Sequence, residues 1–330
     1  MPSYSGVWTL PAQYQAKGAG NWPSAPAIAL FAGGNGLDSG QSINTIQRML
    51  ITTTGNTTDF GTLTRNAENL GSCASSVNAV YAGGSDSLVN AGTNTIDYVL
   101  FSTGGTATSF GSLVNRSIRV TGCNSSTRGV FATGTIFTTP PYTSGTTSNL
   151  IEYITIATTG NGTNFGQLTV ARYGAGACSS STRGLFGAGY TGANSNVVDY
   201  ITIASTGNAT TFGQLTVARQ AINSALSTST RGVFNAGYTT TTSNVIDYVT
   251  IASTGNATSF GQLIGSFYGG LSACSSTTTG IFAGGDSSTG RSSVIQYITI
   301  ASTGNATSWG NLLDGNRNLA ANSSANGGLQ

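Results

Sequence analysis

Apolar and polar positions alternate in short runs along this chain, and the clearest run is DYITIASTGNATTFGQLTVAR, residues 199 to 219. Tyr200, Ile201, Thr202 and Ile203 are β-branched or aromatic, Thr206, Gly207 and Asn208 supply turn chemistry, and Phe212 to Val217 resume the β pattern. The stretch predicts a β-hairpin. Equivalent hairpins begin at Thr45, Ile96, Ile151, Val198, Ile246 and Ile295, each with an aromatic followed by glycine: Phe60, Phe110, Phe165, Phe212, Phe260 and Trp309. These aromatics are 50, 55, 47, 48 and 49 residues apart.

A second motif runs in step with the first, an apolar strand that ends in small residues: IALFAGG (28 to 34), AVYAGG (79 to 84), GVFATG (129 to 134), GLFGAG (184 to 189), GVFNAG (232 to 237) and GIFAGG (280 to 285). Before it lies a further β-like piece, such as YGAGACSSS (173 to 181), so each of six units has four strands. A period near 50 with four short strands per unit predicts an all-β fold, a six-bladed β-propeller.

The two ends depart from the repeat. Residues 1 to 27, with Trp8, Pro11, Tyr14, Trp22 and Pro23, read as an N-terminal arm that either seals the edge of the ring or docks to another subunit. The propeller then occupies 28 to 330, but its first blade begins at a second strand. RNLAANSSANGGLQ (317 to 330) copies the first-strand region RYGAGACSSSTRGLF (172 to 186), with Gly328 and Leu329 in the places of Gly184 and Leu185. The C-terminus is therefore expected to complete blade 1 and remove an open sheet edge.

Composition narrows the function classes. Charged residues are 7% and the net charge is +2, which argues against a nucleic-acid footprint and a polybasic membrane patch. No apolar run reaches the roughly 18 residues of a membrane-spanning helix, so membrane insertion is not expected, and MPSYSGVWTL lacks a basic region followed by an apolar stretch, so no secretory signal is read there. Cys73, Cys123, Cys178 and Cys274 each stand eight residues before the aromatic of the following strand. They are one site in four blades, too far apart to bridge, and read as free, semi-buried side chains. The absence of His and the wrong spacing for zinc leave no metal or cofactor expected.

Several repeated polar positions read as structural. Asp97, Glu152, Asp199 and Asp247 share one site with Gln47 and Gln296, which suits a repeated loop hydrogen bond better than catalysis. Asn56, Asn161, Asn208, Asn256 and Asn305 form sequons in the hairpin turns, where Asn beside Gly is also what a tight turn prefers. The units differ most between second and third strands, the longest such loop being TIFTTPPYTSGTTSN (135 to 149), on one face with the turns that carry Arg65, Arg172, Arg219 and Arg317. Repeat proteins place function where units differ. Phe137, Tyr142, Tyr190 and Tyr238, with Asp38, Asp86, Asp286 and Arg291, are the candidate binding residues of that face.

Small-residue strands ending in Gly-Gly, followed by a strand with Tyr and then an aromatic, Leu and Arg, resemble kelch repeats. More closely, DYITIASTGNATTFGQL (199 to 215) with TRGVFATG (127 to 134), and the opening GVWTL and NWPS, resemble the kelch-like repeat proteins of tailed phages of marine bacteria. The resemblance spans essentially the whole chain. It implies a virion component assembled in the host cytoplasm, in the tail fibre, tail or capsid, and implies no activity. The expected role is then non-enzymatic attachment through the variable loops, to a host-surface glycan or, through the N-terminal arm, to other virion proteins, with oligomerisation open. A purely architectural ornament is the alternative. A copper radical oxidase would need His ligands, and the chain has none. A sialidase-like hydrolase would draw on Glu68 or Glu152, but nothing in the spacing pairs two carboxylates about 5 to 10 Å apart.

Overall fold

β-Branched residues and glycine punctuation dictate short strands joined by tight turns, and the computed structural model contains those elements. It describes residues 26–86, 91–140, 142, 144–222 and 225–325, so residues 1 to 25 of the arm, and Gly328 and Leu329, lie outside the described residues. The chain is all-β and its sheets are built from antiparallel strands, apart from one short parallel pairing of Gly61 and Thr62 with Gly105 and Thr106. In the fourth unit the order is Gly176–Ser179, Arg183–Gly187, Ser195–Thr202 and Thr210–Arg219, each strand paired with the next. The second, third, fifth and sixth units repeat it from Gly71, Thr121, Ala225 and Leu271, and one long strand, Thr258–Ser275, runs from the fifth unit into the sixth. The first unit is assembled from both ends of the chain. Ala320–Ser323 pairs with Ile28–Ala32 in the register Ala29↔Ser323 to Ala32↔Ala320, followed by Thr45–Leu50 and Thr58–Thr62.

The aromatic-Gly motif has a specific cause. In the fourth unit Val198 faces Gly213 and Asp199 faces Thr211, so Phe212 is the extra residue of a β-bulge. Phe60, Phe110, Phe165, Phe260 and Trp309 are skipped in the same way. A bulge re-aims its side chain out of the ladder. In the second to sixth units the aromatic then meets the Tyr of the third strand edge-on, with Tyr200 and Phe212 centroids 6.0 Å apart at 77°, and in the first unit Arg48 takes the place of the Tyr. The following glycine is required because the next unit's turn passes over it: a Cβ at Gly213 would collide with the Gly255 carbonyl, and one at Gly310 with that of Gly55.

Six hydrophobic clusters each join one unit to its successor. Phe212, Leu215 and Val198 of the fourth unit pack with Val249, Ile251 and Phe234 of the fifth, and Trp309, Ile295 and Ile281 of the sixth pack with Phe31, Met49 and Ile51 of the first. The succession of contacts thus returns to its start. The turns add hydrogen bonds of the same order: Gly207 N donates to Phe165 O at 2.9 Å, Ala209 N to Gln167 O at 2.8 Å, and Gln167 N to Asn208 Oδ1 at 3.1 Å. Asn161, Asn256, Asn305 and Asn56 accept equivalent bonds, the last from Asn311 of the sixth unit. Turn preference is therefore not the whole reason for these asparagines; their carboxamides staple neighbouring units.

The Asp, Glu and Gln position is a second staple, buried where the first is exposed. Thr64 Oγ1 donates to Asp97 at 2.8 Å, Val114 N to Glu152 at 2.7 Å, Ile264 N to Gln296 at 2.6 Å and Leu313 N to Gln47 at 2.8 Å. Between the third and fourth units Arg172 lies 2.6 Å from Asp199, and between the fourth and fifth Arg219 lies 2.7 Å from Asp247. All four side chains are completely buried, which corrects the placement of Arg172 and Arg219 on an accessible face. The cysteines are also fully buried rather than semi-buried, and free, because each sulfur sits between units; those of Cys73, Cys123 and Cys178 lie against Gly129, Gly184 and Gly232. Burial pushes the Cys178 and Cys274 thiols up to about 12, which leaves them unreactive.

Burial also pushes the Glu152 carboxyl above its ordinary value of 4.5, against the pull of hydrogen bonds from Val114 N and Asn115. A raised folded-state pKa favours the fold while the group is neutral, and that contribution is lost as pH rises from 4.5 through the raised value. Glu152→Gln, which installs the residue of the first and sixth units, is expected to shift stability at pH 7 by less than about 1 kcal/mol. Its advantage over the parent chain grows across that pH window and then levels, as read from urea unfolding at successive pH values.

Candidate functional site

The fourth strand of each unit leads into the first strand of the next through a residue with left-handed backbone: Asn69, Arg119, Gly174, Ala221, Gly270 and Asn318, with φ between 55° and 72°. Glycine adopts this conformation freely and asparagine tolerates it, whereas arginine and alanine are held there by their surroundings. Backbone hydrogen bonds link the six into a chain. Asn69 N donates to Asn318 O at 2.9 Å, Asn318 N to Gly270 O at 2.8 Å, and Gly270 N to Ala221 O at 3.1 Å. Ile222 N donates to Gly174 O at 3.1 Å, and Val120 N to Asn69 O at 3.3 Å. The six units therefore converge here.

The convergence forms a depression of about 350 Å³ lined by Asn69, Arg119, Tyr173, Gly174, Gln220, Ala221, Tyr238, Tyr268 and Asn318. Beneath it the first strands enclose a lumen of only about 50 Å³. Side chains near its far end bond across the units, with Ser179 Oγ donating to Asn124 O, Ser227 Oγ to Ser179 O and Ser275 Oγ to Ser227 O, all at 2.7 Å. A ligand larger than a few waters is thus confined to the mouth.

The mouth has two aromatic walls. Tyr173 and Tyr190 lie with centroids 5.3 Å apart and planes tilted by 36°, and Tyr238 and Tyr268 are 6.2 Å apart at the same tilt. Isolated bridges from Tyr173 to Tyr190 and from Gln220 to Tyr238 set these positions, tying each loop after a second strand to the segment before a first strand. Tyr268 is 42% exposed. The Arg119 guanidinium lies 4.4 Å from the Tyr173 ring centroid, within cation–π range.

The sequence-derived candidates separate into three groups. Tyr190 and Tyr238 stand at the mouth. Tyr142 is half-buried with the Arg116 guanidinium 4.3 Å from its ring centroid, Asp38 is exposed with its N–H donating to Asp314, and Asp86 is half-buried in the short strand Ser85–Asp86. The remaining three are engaged within the fold, and Phe137 alone departs from the exposure expected of it. Phe137 is buried: Thr135–Phe137 adds a strand beside Thr108–Ile118, and the ring fills the space over Gly92 and Gly145. Asp286 is paired with Arg317 at 2.5 Å, and Arg291 Nη1 donates to Gly36 O at 2.6 Å, tying the sixth unit to the first.

Arg119, Tyr173, Tyr268, Asn69, Gln220 and Asn318 lie outside the variable loops to which the sequence pointed. A signal was present. Eight residues after the motif aromatic the units carry Glu68, Ile118, Tyr173, Gln220, Tyr268 and Arg317, a position as variable as the loops that stands directly before the converging residue or, for Tyr268, two before it. The acidic groups of the hydrolase alternative are elsewhere. Glu152 is fully buried under Val114 and Asn115, and Glu68 accepts from Asn35, Ser42 and Asn318.

Compared with known protein families and with curated proteins, the chain matches neither a family model nor any curated protein.

Proposed function

We propose that the six units are the blades of a kelch-like β-propeller closed by Ala320–Ser323, and that the chain is a non-enzymatic binding module of a phage particle. The closure reading is supported by the inter-unit contacts that return from the sixth unit to the first. The particle reading is supported by the repeat wording, which resembles that of marine tailed-phage proteins. The observation that carries the binding reading is the mouth itself: tyrosines and amides gathered from separate units over a closed lumen. Aromatic faces with a few hydrogen-bonding side chains are what pyranose rings require, so the ligand class is a host-surface glycan. Glu152 lacks access to any sugar, which weighs against the hydrolase alternative.

The test is a glycan array probed with the full chain. Tyr173→Ala and Tyr268→Ala are each expected to weaken the bound glycans by about tenfold or more while leaving the thermal melt unchanged. Signals independent of both tyrosines would move the site elsewhere. Immunolabelling of purified particles separates attachment from ornament: label at tail tips or fibre ends favours host binding, label over capsid or tail shaft favours an architectural role, and no label removes the particle reading.

A further inference from the structure

We infer that the axial mouth selects a carboxylated sugar, with Arg119 as the group that recognises the anion. This deepens the glycan reading above and rests on it. No Asp or Glu lines the depression, and Arg119 is its one lining cation among the described residues. The chain's other arginines near this face are engaged. Arg172 and Arg219 meet buried carboxylates, Arg317 pairs with Asp286, and Arg116 and Arg291 donate to the Gly92 and Gly36 carbonyls. The Arg119 guanidinium, in contrast, makes no ion pair or hydrogen bond among the described residues, and its contact is the face of Tyr173.

That contact prepares it for a ligand. A guanidinium held over a ring face keeps its N–H groups available to a carboxylate, which it can meet with two parallel hydrogen bonds. The neighbours complete the requirement for a carboxylated pyranose: Tyr238 and Tyr268 offer ring faces, and Asn69 and Gln220 offer amides for hydroxyls. The local backbone agrees with a site under constraint. Arg119 holds φ at 55°, a conformation uncommon for arginine, where the equivalent positions use Asn, Gly or Ala. Held in this way, its side chain leaves from the converging residue itself rather than from a distant loop.

The natural control is inside the chain. Asn69 and Asn318 occupy the equivalent position with φ of 60° and 59°, so Arg119→Asn removes the cation at a site whose backbone accepts asparagine. A glycan array carrying neutral, uronate and sialylated oligosaccharides is read first with the full chain. Uronate and sialylated probes are then titrated calorimetrically against the parent and Arg119→Asn, beside a neutral oligosaccharide of equal length. Binding of carboxylated probes about tenfold or more tighter than the neutral one, reduced to the neutral level by Arg119→Asn and weakened by added salt, is the expected result. The uronate and sialate arms show which source supplies the carboxylate. Equal binding of neutral and carboxylated probes, or full retention by Arg119→Asn, overturns this inference and leaves glycan binding standing. Binding to no glycan on the array overturns both.

Discussion

Asp247→Ala lowers the unfolding free energy by about 3 to 5 kcal/mol, because it strands the Arg219 guanidinium in a site from which water is excluded. The pair is completely buried, Arg219 Nη1 lies 2.7 Å from the carboxylate, and Thr216 Oγ1 donates to the same group. Burial pulls the pKa of Arg219 down and Asp247 pulls it back up, so removing the acid leaves desolvation unopposed. The chain also contains the apolar solution to the same joint. Between the fifth and sixth units Phe267 stands where Arg219 stands, and Gln296 stands where Asp247 stands, accepting from Ile264 N. The double variant Arg219→Phe with Asp247→Gln should therefore recover most of the loss, since replacing both members of a buried pair removes the charge together with its partner. Chemical denaturation of the two single variants and the double variant measures this. A single-variant loss below about 1 kcal/mol would show that water reaches the joint.

Deletion of residues 317 to 330 has a comparable or larger expected effect. Leu319, Ala320 and Ala321 are buried, Ser72 Oγ donates to the Ala321 carbonyl at 2.8 Å, and Asn322 Nδ2 donates to Val80 O at 3.2 Å. Losing them exposes the whole edge of Ile28–Ala32 and opens the cluster that joins the sixth unit to the first. The expected cost exceeds about 5 kcal/mol, on the order of the total stability of many domains. An exposed apolar edge strand also invites association between chains. Calorimetry should show loss of the cooperative transition, with aggregation on heating. A truncated chain that melts normally would mean that the C-terminal strand is dispensable and that the sixth and first units are held together by the outer staples alone.

Much of the fold was legible because its determinants are local. The bulged aromatic, the glycine beside it and the turn asparagine lie within a few residues of one another, and six repetitions of that spacing fix the number of units and the succession of strands. The Asp, Glu and Gln site was readable as structural for the same reason: one position accepting three side chains, two charged and one neutral, behaves as a hydrogen-bond acceptor. Sequence alone also marked the strand missing from the first unit, and the structure pairs Ala320–Ser323 in that place.

The candidate site was less legible, because its residues come from successive units and no local pattern records that they meet. Phe137 illustrates the failure. A phenylalanine in the longest, most polar loop reads as exposed, but loop length here supplies an extra strand whose ring covers two glycines. Tyr173 and Tyr268 stand beside left-handed turns at which separate units meet, and no local pattern marks either tyrosine as part of a shared mouth. Periodicity reports which side of a strand is buried, and by itself it determined the repeat and the strands. Which variable positions share a surface depends on contacts between units distant in sequence, and that long-range arrangement only the tertiary structure decided.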